Sequence, residues 1–598
     1  MLQDMRQNLP QSLPQNRVLL PRESIQPFVV SMGQMQQIEQ RLFEAGMPVA
    51  ALMEKVAGRL THWFLLRSGL AAGRSASGIG VLAGPGHNGG DALVMARELH
   101  HLGYGVSVYQ PFEGCKSLTA QHASYCKSLG IPFVTTVAEL VDCEAIIDGG
   151  FGFGLTRPIT GELAEDIRAL NQQNTPIFSI DLPSGIHTDT GQVMGVALKA
   201  KCTACLGLWK RGFMAAEALA YLGKCDLIDF DIPLAAITAV LDDVSDEGPS
   251  VRRITADQVL APAVKFASGG PQKADDWPPY LPLDRGAIAH KYTAGHLLLI
   301  AGSRQYAGAA LLAGLGAVAS GVGMLTLAVP ESIRLALLPQ LPGALLVGCP
   351  ETTEGAIARL PNHLTLEKYD AIALGPGLTP TVPTLLAQVM AAGCPLLLDA
   401  DGLNLLAKGD PIQQLQHRAA PTILTPHDGE FKRLFPSVDE ASPGGFAAKL
   451  PAEAVSKMPG EAALKAAQAS SAIILLKGPR SAVAHGQRLW FNPESTVALA
   501  RGGSGDVLTG LMGGLLAAQS RQWPGTDGAA NADALVPSVL GAVWWHSQAA
   551  IVASDRRTVL GVDPLHLAQA LNPALQERFR QHACASNLAI DNSSAVGF

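Results

Sequence analysis

A glycine-rich turn near residue 85 is the first segment of this chain whose spacing could do chemistry. The stretch 84–89, GPGHNG, follows an apolar run and has the G-x-G-x-x-G spacing of a dinucleotide-binding turn. In a nicotinamide dehydrogenase, an acidic residue about 20 positions further on holds the ribose hydroxyls. Here the next apolar run ends in Gln110, and polar Asn88 and Asp91 occupy the turn. The turn therefore indicates a polar-ligand site that does not serve hydride transfer.

Two further apolar runs in this half end in an aspartate that precedes a glycine-containing loop. AIID ends in Asp148, and IFSID ends in Asp181 with Ser184 shortly after it. Because ligands of open parallel sheets lie beyond the carboxyl ends of the strands, we expect these residues and Asn88 to face one cleft. Oxygen ligands of this kind suit a hard cation. The alternative is that each aspartate only caps a helix or bonds its own turn.

The second half contains a different glycine turn. The second half has no G-x-x-x-x-G-K-[ST] motif, which argues against a Walker-type nucleotide site. Instead, the stretch ALARGGSGDVLTGL places glycines directly before an apolar helix pattern. Unpaired N–H groups at such a helix start, residues 503–506, form an anion site suited to a transferring phosphoryl group. Asp506 would face that site, where an attacking hydroxyl needs a base. The alternative is a carboxylate that only favours the first helical turn.

Other strand ends of the second half also deliver glycine or polar residues. The motif GPGL follows DAIAL, Asp399 follows PLLL, His427 follows TILTP and Lys477 follows AIILL. Any one of these side chains would be unremarkable by itself. At one edge of a parallel sheet, they together indicate a nucleotide and a hydroxylated substrate that meet in one site.

Two sheets are needed to position these residues. Apolar runs of four to seven residues alternate with amphipathic segments in both halves, which predicts α/β domains with parallel sheets. Because 598 residues exceed what one hydrophobic core supports, we expect two domains. The region 234–289 is rich in Gly, Pro and acidic residues and is predicted to be a linker plus loop. The predicted domains are 1–238 and 252–580, with the linker at 239–251.

Composition and charge narrow the class of protein. With 48% hydrophobic and 16% charged residues, the chain is expected to form ordered cores. A net charge of −7 and the lack of a basic cluster argue against a nucleic-acid partner. The Gln- and Pro-rich start lacks a signal-peptide pattern, and no run approaches the roughly 20 uninterrupted apolar residues of a membrane helix. Nine scattered cysteines fit a reducing compartment. We expect a cytoplasmic protein without a membrane partner.

Several separated motifs of the first half occur together in one known family. They are GPGHNGGDALVMAREL, DGGFGFGL, SIDLPSGIHTDTG and CTACLGLWKRG, preceded by MGQMQQIEQRLFEAGMPVAALMEKVAG. Over about residues 30–235 the chain resembles the NAD(P)H-hydrate epimerases of the YjeF N-terminal fold. The resemblance implies a Rossmann-like domain that takes a damaged nicotinamide nucleotide as substrate, with Asp181 as its catalytic and substrate-contacting carboxylate. It also implies a potassium ion on Asn88, Asp148 and Ser184. The implied substrate loops are His87, Asn88, Gly89, Gly90 and Asp91, and Gly152, Phe153, Gly154, Leu155, Thr156, Arg157 and Pro158.

The motif order of the second half also has a counterpart. HKYTAGHLLLIAGSRQYAGAALLAG, LDADGLNLL, LTPHDGEF and GGSGDVL, in this order, resemble the ribokinase superfamily, and in detail its ADP/ATP-dependent NAD(P)H-hydrate dehydratases. The resemblance covers about residues 252–575 and implies Asp506 as the base, with Mg²⁺ expected beside the adenine nucleotide. The residues implied to contact the hydrated nucleotide are Ala309, Gly377, His427 and Asp506. Those implied to hold ADP or ATP are Lys477, Gly478 and Gly505.

The sequence departs from these family patterns at three positions. His87 stands where the epimerases usually have asparagine, Tyr292 stands where HKG is usual in the dehydratases, and Thr379 replaces a glycine of GPGLG. None of these changes removes a proposed reactive group. Each of them could reshape the loop around it.

The two resemblances together predict one repair function. The first domain would interconvert the R and S forms of hydrated NADH or NADPH, and the second would dehydrate the S form with ADP or ATP; we also expect a homo-oligomer. One alternative is another small-molecule kinase of the ribokinase type, whose phosphate would stay on the product. Another is a non-catalytic module, since YjeF-type domains also occur as scaffolds in RNA turnover.

Overall fold

The structure, a computed structural model, has two units that can be described separately. The described residues are 22–70, 78–242, 249–260, 279–282, 288–379, 383–436, 459–522 and 531–593. The two compact units are Met1–Glu247 and Gly248–Phe598. Each contains its own sheet with helices between the strands, so the predicted two-domain α/β class is confirmed.

A seven-stranded parallel sheet forms the centre of the first unit. The strands of this unit are β1 Val29–Val30, β2 Ile79–Ala83, β3 Val106–Tyr109, β4 Phe133–Val134, β5 Ala145–Gly149, β6 Ile177–Ile180, β7 Cys202–Leu206, β8 Trp209–Lys210 and β9 Lys224–Ile228. The sheet order is β4-β3-β2-β5-β6-β7-β9, and β1 pairs separately with β8. The chain order reverses between β2 and β5, which is where ligands of Rossmann-type sheets bind.

The described part of the first unit contains seven α-helices. They are α1 Met32–Glu44, α2 Val49–Ser68, α3 His87–His101, α4 Ser117–Ser128, α5 Glu162–Asn171, α6 Leu219–Leu222 and α7 Leu234–Leu241. A capping box between Ser31 and Gln34 starts α1. The glycine turn before α3 is tightly packed, because a Cβ on Gly84 would lie 1.7 Å from the Gly150 carbonyl oxygen. Only glycine allows these two strand ends to approach so closely.

A ten-stranded sheet forms the centre of the second unit. Its strands are β10 Ser250–Arg253, β11 His296–Ile300, β12 Met324–Pro330, β13 Leu345–Cys349, β14 Ala371–Leu374, β15 Leu396–Leu398, β16 Thr422–Leu424, β17 Ile473–Leu476, β18 Ala482–His485 and β19 Arg488–Phe491. The order is β10-β19-β18-β17-β16-β15-β14-β11-β12-β13. The pairs β17–β18 and β18–β19 are antiparallel and the rest are parallel.

Two central helices bury much of the second unit's core. The helices are α8 Ala256–Leu260, α9 Ala307–Ala319, α10 Glu331–Leu337, α11 Pro383–Met390, α12 Ala400–Leu406, α13 Pro411–Gln416, α14 Asp428–Leu434, α15 Pro459–Ser470, α16 Ser504–Gln522, α17 Ala532–Arg557 and α18 Pro564–Ser593. Helices α9 and α16 pack at short range, since a Cβ on Gly510 would lie 1.7 Å from the Ala313 carbonyl oxygen. This contact holds α16 against α9.

Helix α17 is the one helix of the described chain that is long and apolar enough to span a membrane by length and composition. Of its apolar window, 94% is buried inside the unit. Trp544 and Trp545 lie within the hydrophobic core there. The same composition is expected of a core helix that is apolar on all sides.

The region between the two series of strands is more structured than the sequence predicted. Residues 234–289 were predicted to be linker and loop, but α7, β10 and α8 lie within them. Strand β10 joins the second sheet through backbone pairing of Val251 with Leu489. Short edge segments are hard to recognise because their pairing partner is distant in sequence. Residues 243–248, 261–278 and 283–287 of this region lie outside the described residues, and the exact linker bounds 239–251 stay a prediction.

Candidate active sites

A buried ion pair lies at the carboxyl end of β6 in the first unit. The Lys210 ammonium contacts the Asp181 carboxylate and the Leu206 carbonyl oxygen, and the Lys210 side chain is 0% exposed. Asp181 also accepts the N–H groups of Phe153, at 3.0 Å, and Leu206, at 3.3 Å. Burial opposes the charge on Lys210, but Asp181 outweighs it and raises the pKa of Lys210. The Lys210 ammonium is therefore held charged in the protein interior.

A second carboxylate anchors the loops around this pair. Asp148, at the end of β5, is fully buried and accepts the Ser179 and Ser184 hydroxyls at 2.8 and 2.5 Å, the Ser184 N–H at 2.8 Å and the Gly150 N–H at 3.1 Å. Burial raises its pKa, although these hydrogen bonds oppose the shift. Asn88 lies nearby and donates to the Ile180 carbonyl oxygen at 3.3 Å. The predicted ligands Asn88, Asp148 and Ser184 thus surround the ends of adjacent strands β2, β5 and β6.

The loop after β5 passes directly between these polar groups. A Cβ on Gly152 would lie 3.1 Å from Asp181 Oδ2 and 3.2 Å from Asn88 Oδ1. The Phe153 ring centroid is 5.8 Å from Lys210 Nζ. Gly154, Thr156, Arg157 and Pro158 are exposed, whereas Leu155 packs into a hydrophobic cluster. In the other predicted loop His87 is exposed, and Gly89, Gly90 and Asp91 are buried.

Two further carboxyl groups, those of Glu39 and Asp91, interact electrostatically with the Asp181–Lys210 pair. Burial raises the pKa of Glu39, on α1, to about 7, with Asp181 adding to the shift and Lys210 and Lys116 opposing it. Burial, with the charges of Asp181 and Glu39, raises the pKa of Asp91 well above its usual range. Burial therefore favours the protonated form of both carboxyl groups, and the pKa of Glu39 lies near neutrality.

The second unit contains a comparable pair at the carboxyl ends of β15 and β17. Lys477 Nζ is 2.7 Å from Asp399 Oδ1, and the Thr509 hydroxyl of α16 donates to Asp399 Oδ2 at 2.6 Å. Burial would raise the pKa of Asp399, but Lys477 and the hydroxyl donors outweigh it and lower that pKa. A Cβ on Gly505 would lie 3.6 Å from Lys477 Nζ. The glycine turn therefore brings the start of α16 onto this pair.

Asp506 occupies the first turn of α16 beside the Asp399–Lys477 pair. Burial and the nearby charge of Asp399 raise the pKa of Asp506 to about 7, against the opposing charge of Lys477. No protein hydrogen bond to this carboxyl is described, so it is available to a ligand. A carboxyl with a pKa near neutrality is suited to general acid–base catalysis.

The other predicted residues of this unit lie on adjacent loops. Gly377, with φ +65°, packs against α9, since its Cβ would lie 2.8 Å from the Ala309 Cβ. His427 caps α14, and its Nδ1 accepts the Gly429 N–H at 3.0 Å. An isolated backbone bridge pairs His427 with Lys477. Gly478 is exposed directly after Lys477. The structure thus places these residues along one edge of the sheet.

A buried histidine supports the glycine turn from α17. His546 Nε2 lies 2.9 Å from the Ser504 carbonyl oxygen, and burial lowers the pKa of His546 to about 4. The carbonyl can only accept, so Nε2 carries the hydrogen. The Ser504 hydroxyl bonds the Leu499 and Arg501 carbonyl oxygens, both at 2.7 Å. The turn before Asp506 is therefore held from several sides.

Several residues near these sites were not assigned from the sequence. Lys210 lies in the quoted motif CTACLGLWKRG, and its position next to a strand end was the available signal. Thr509 follows Asp506 by three residues, the spacing that places two helical side chains on one face. Glu39 and His546 gave no local signal, because they reach their sites only through the packing of α1 and α17.

Comparison with known proteins assigns a family to each half. The family described as YjeF-related protein N-terminus matches residues 49–212, and the family described as NAD(P)H-hydrate dehydratase matches residues 297–573. The chain is 46% identical to a bifunctional NAD(P)H-hydrate repair enzyme of Thermosynechococcus vestitus, covering 92% of this chain and 98% of that protein. A repair enzyme of the same name from Synechocystis is 48% identical, covering 92% and 95%.

A solved structure is also similar to the second half. The ADP/ATP-dependent NAD(P)H-hydrate dehydratase from Bacillus subtilis, co-crystallised with ATP and Mg²⁺, is 33% identical, covers 49% of this chain and 94% of that chain, and has a TM-score of 0.40.

The two matched domains define a protein that joins a YjeF-type Rossmann-like domain to a ribokinase-like domain. The chain belongs to the family of bifunctional NAD(P)H-hydrate repair enzymes. It combines an epimerase domain with an ADP/ATP-dependent dehydratase domain, as the sequence predicted.

Proposed function

We propose that Asp506 is the base of the dehydratase and that Asp181 moves the proton in the epimerase. The observation that carries the first assignment is an unbonded carboxyl with a pKa of about 7 at the glycine-rich start of a helix. Asp181 is assigned because it lies where the two substrate loops meet, beside Gly152 and Asn88.

In the dehydratase, Asp506 takes the proton of the ring hydroxyl as its oxygen attacks the terminal phosphorus of ADP or ATP. The N–H groups of residues 503–505 stabilise the charge that develops on the phosphoryl oxygens. The bond from that phosphorus to the bridging oxygen breaks, and AMP or ADP leaves with its electron pair. The C–O bond of the phosphorylated hydrate then breaks, phosphate leaves with its electron pair, and the neighbouring C–H proton passes to water, which restores the double bond. Lys477 and Gly505 hold the phosphates, Gly478 lines the nucleotide, and Ala309, Gly377 and His427 contact the hydrated ring nucleotide.

The metal proposed for this site is Mg²⁺. Among the described residues no three His, Cys, Asp or Glu side chains gather as a ready-made metal site. Mg²⁺ is usually held by one or two carboxylates together with substrate phosphates. The carboxylate Asp399 fits that chemistry, and the ion would neutralise phosphate charge when bound.

For the epimerase domain we propose a potassium ion at Asn88, Asp148 and Ser184. The donor atoms are carboxylate, hydroxyl and amide oxygens, which suit a hard cation. The loop leaves room because both positions facing these oxygens are glycines. A Cβ on Gly150 would lie 2.6 Å from Ser184 Oγ, and one on Gly152 would lie 3.2 Å from Asn88 Oδ1. The ion would organise the loops 87–91 and 152–158 around the substrate.

The cellular setting follows as part of the same proposal. We propose a cytoplasmic homo-oligomer that acts on hydrated NADH and NADPH without a nucleic-acid or membrane partner. The net charge of −7 supports the absence of nucleic acid, and the burial of α17 supports the absence of a membrane span.

The test follows racemic hydrated NADH with ADP or ATP. Full-length protein should restore nicotinamide absorbance completely and release one phosphate per hydrate. Residues 248–598 expressed alone should stop near half conversion, and addition of residues 1–240 should complete the reaction. A phosphorylated product that accumulates without recovery of absorbance would favour another ribokinase-type kinase. Arrest of the full-length protein near half conversion would favour a non-catalytic first domain.

A further inference from the structure

The opening segment of the first domain lies across the epimerase site. Strand β1 pairs with β8, so Val30 is the direct backbone partner of Lys210. Helix α1 follows at once, and the Met32 N–H at its start donates to Asp189 Oδ1 at 2.7 Å. Asp189 belongs to the loop that follows Asp181. Helix α1 is therefore fixed both to the strand that carries Lys210 and to the loop that carries Asp181.

Glu39 is the ionisable group that α1 brings to this site. Met35, Ile38 and Leu42 form the buried face of α1, and Glu39 lies half-buried beside them. No hydrogen bond to its carboxyl is described, unlike Glu44 of the same helix, which accepts from Gln40 at 2.9 Å.

Charged groups from four other parts of the first domain act on Glu39. They are Lys210 on β8, Asp181 after β6, Lys116 before α4 and Asp91 on α3. Asp91 is 7% exposed and Asp181 is engaged by Lys210 and two N–H groups. Within the described part of the chain, Glu39 is thus the carboxyl of this cluster that combines partial solvent access with the lack of a hydrogen bond to a protein group.

We propose that Glu39 is a second proton-carrying residue of the epimerase site, working opposite Asp181. Water adds to an enamine with its hydroxyl on the carbon next to nitrogen, because the nitrogen lone pair stabilises positive charge there. The two epimers of the hydrate therefore differ at a carbon bonded to both hydroxyl and ring nitrogen, and inverting it needs one group that accepts a proton and one that donates.

The balanced step opens and recloses the ring. Asp181 takes the hydroxyl proton, the O–H electron pair forms a C=O bond, and the C–N bond breaks. The C–N pair remains on nitrogen, which receives the Glu39 proton. Rotation about the adjacent C–C bond presents the other face of the carbonyl, and the reverse transfers close the ring and return both protons. The step rests on the role proposed above for Asp181.

The ionisation of Glu39 supports this role. Burial raises its pKa to about 7, so the proton-donating form predominates below neutrality and is lost above it. The rate of epimerisation should therefore fall on the alkaline side with a midpoint near pH 7. Lys210 is charged throughout this range and cannot produce that limb.

The experiment uses the full chain without ADP or ATP, so that only interconversion of the separated R and S hydrates is measured. Glu39→Gln keeps the shape of the side chain but cannot donate the proton. It should lower kcat about 10²-fold, leave KM nearly unchanged and remove the alkaline limb. Glu39→Asp should recover part of the rate together with the limb. Glu44→Gln, at the exposed end of the same helix, should behave like wild type.

Three results would overturn the inference. They are a wild-type rate for Glu39→Gln, an intact alkaline limb in a slow Glu39→Gln variant, and a slower rate for Glu39→Asp than for Glu39→Gln, which would indicate packing alone. Failure of the wild-type chain to interconvert the hydrates would instead contradict the proposed function. The two failures are therefore distinguishable.

Discussion

The two active-site regions each contain an aspartate–lysine ion pair, but the two pairs differ in their exposure to solvent. Each has a buried aspartate paired with a lysine at the carboxyl ends of parallel strands. In the first domain both side chains are sealed, with Lys210 0% and Asp181 2% exposed. In the second, Asp399 is 2% exposed but Lys477 is 23% exposed. One lysine is thus confined to its partner, and the other also reaches the open site.

The difference follows from the charge that each site must handle. Phosphoryl transfer develops negative charge on the phosphate oxygens of the bound nucleotide. Because the Lys477 side chain is partly exposed, its ammonium group can contact that charge while Asp399 holds it in position. The proposed base, Asp506, is then a separate group, whose pKa rises partly because Asp399 is near. In the first domain Asp181 belongs to the pair itself, and the groups with raised pKa, Glu39 and Asp91, are on other elements.

Backbone strain accompanies both aspartates. Asp181 has φ +64°, whereas in the second domain the strained residues are Ala400, φ +45°, next to Asp399, and Thr379, φ +59°. Non-glycine residues in this region cost about 1–3 kcal/mol each and persist where the surrounding structure fixes them. The Thr379 N–H donates to Asp401 at 3.0 Å, which holds this departure from the family glycine in place.

The largest expected effect distinguishes the proposed role of Asp506 from that of the Asp399–Lys477 ion pair. Asp506→Asn keeps the shape of the side chain but removes its basicity, so dehydration of the S hydrate should fall by about 10²-fold or more. The wild-type rate should rise with pH through about 7, as Asp506 ionises, and the variant should lose this acid limb.

Epimerisation by the same variant provides the matched control, because Asp181 lies in the other domain. R-to-S conversion without nucleotide should be unchanged. Near-normal dehydration by Asp506→Asn would remove this residue from its proposed role and leave the Asp399–Lys477 pair as the reactive centre.

The next prediction tests whether the two ion pairs contribute differently to the unfolding free energy of their domains. Lys210→Met leaves Asp181 buried without its counter-charge and should cost the first domain about 3–5 kcal/mol of unfolding free energy. Lys477→Met should cost its domain less, because water reaches the Lys477 side of that pair. Urea unfolding of each variant measures both losses. An equal or larger loss for Lys477→Met would mean that exposure does not distinguish the pairs.

The smallest expected effect concerns the cation. Epimerisation should be about fivefold faster in potassium than in tetramethylammonium chloride at equal ionic strength, the low end of coupling between two bound ligands. The physical reason is that the ion would order the loops that contact substrate. Equal rates in the two salts would mean that Asn88, Asp148 and Ser184 only brace these loops through their hydrogen bonds.

Much of the framework was available from the sequence. The apolar runs that end in Asp148, Asp181, Asp399 and Lys477 are strands of the two sheets, because buried parallel strands read as short continuous apolar segments. The edge strand β10 and the antiparallel strands β18 and β19 were not predicted. Strand β10 depends on pairing with the distant β19, which no local pattern reveals, whereas β18 and β19 are short strands that pair with their neighbours in sequence.

The sequence by itself determined which residues stand at the ends of strands and on which edge of each sheet they lie, because the direction of a strand fixes its end and its edge. Only the tertiary structure decided which groups share a charge environment. Lys210 meets Asp181 across 29 residues, Lys477 meets Asp399 across 78, and α1 brings Glu39 near Asp181, which follows it by 142 residues. The pKa of a carboxyl depends on burial and on neighbouring charges, and both are set by packing between elements distant in the chain.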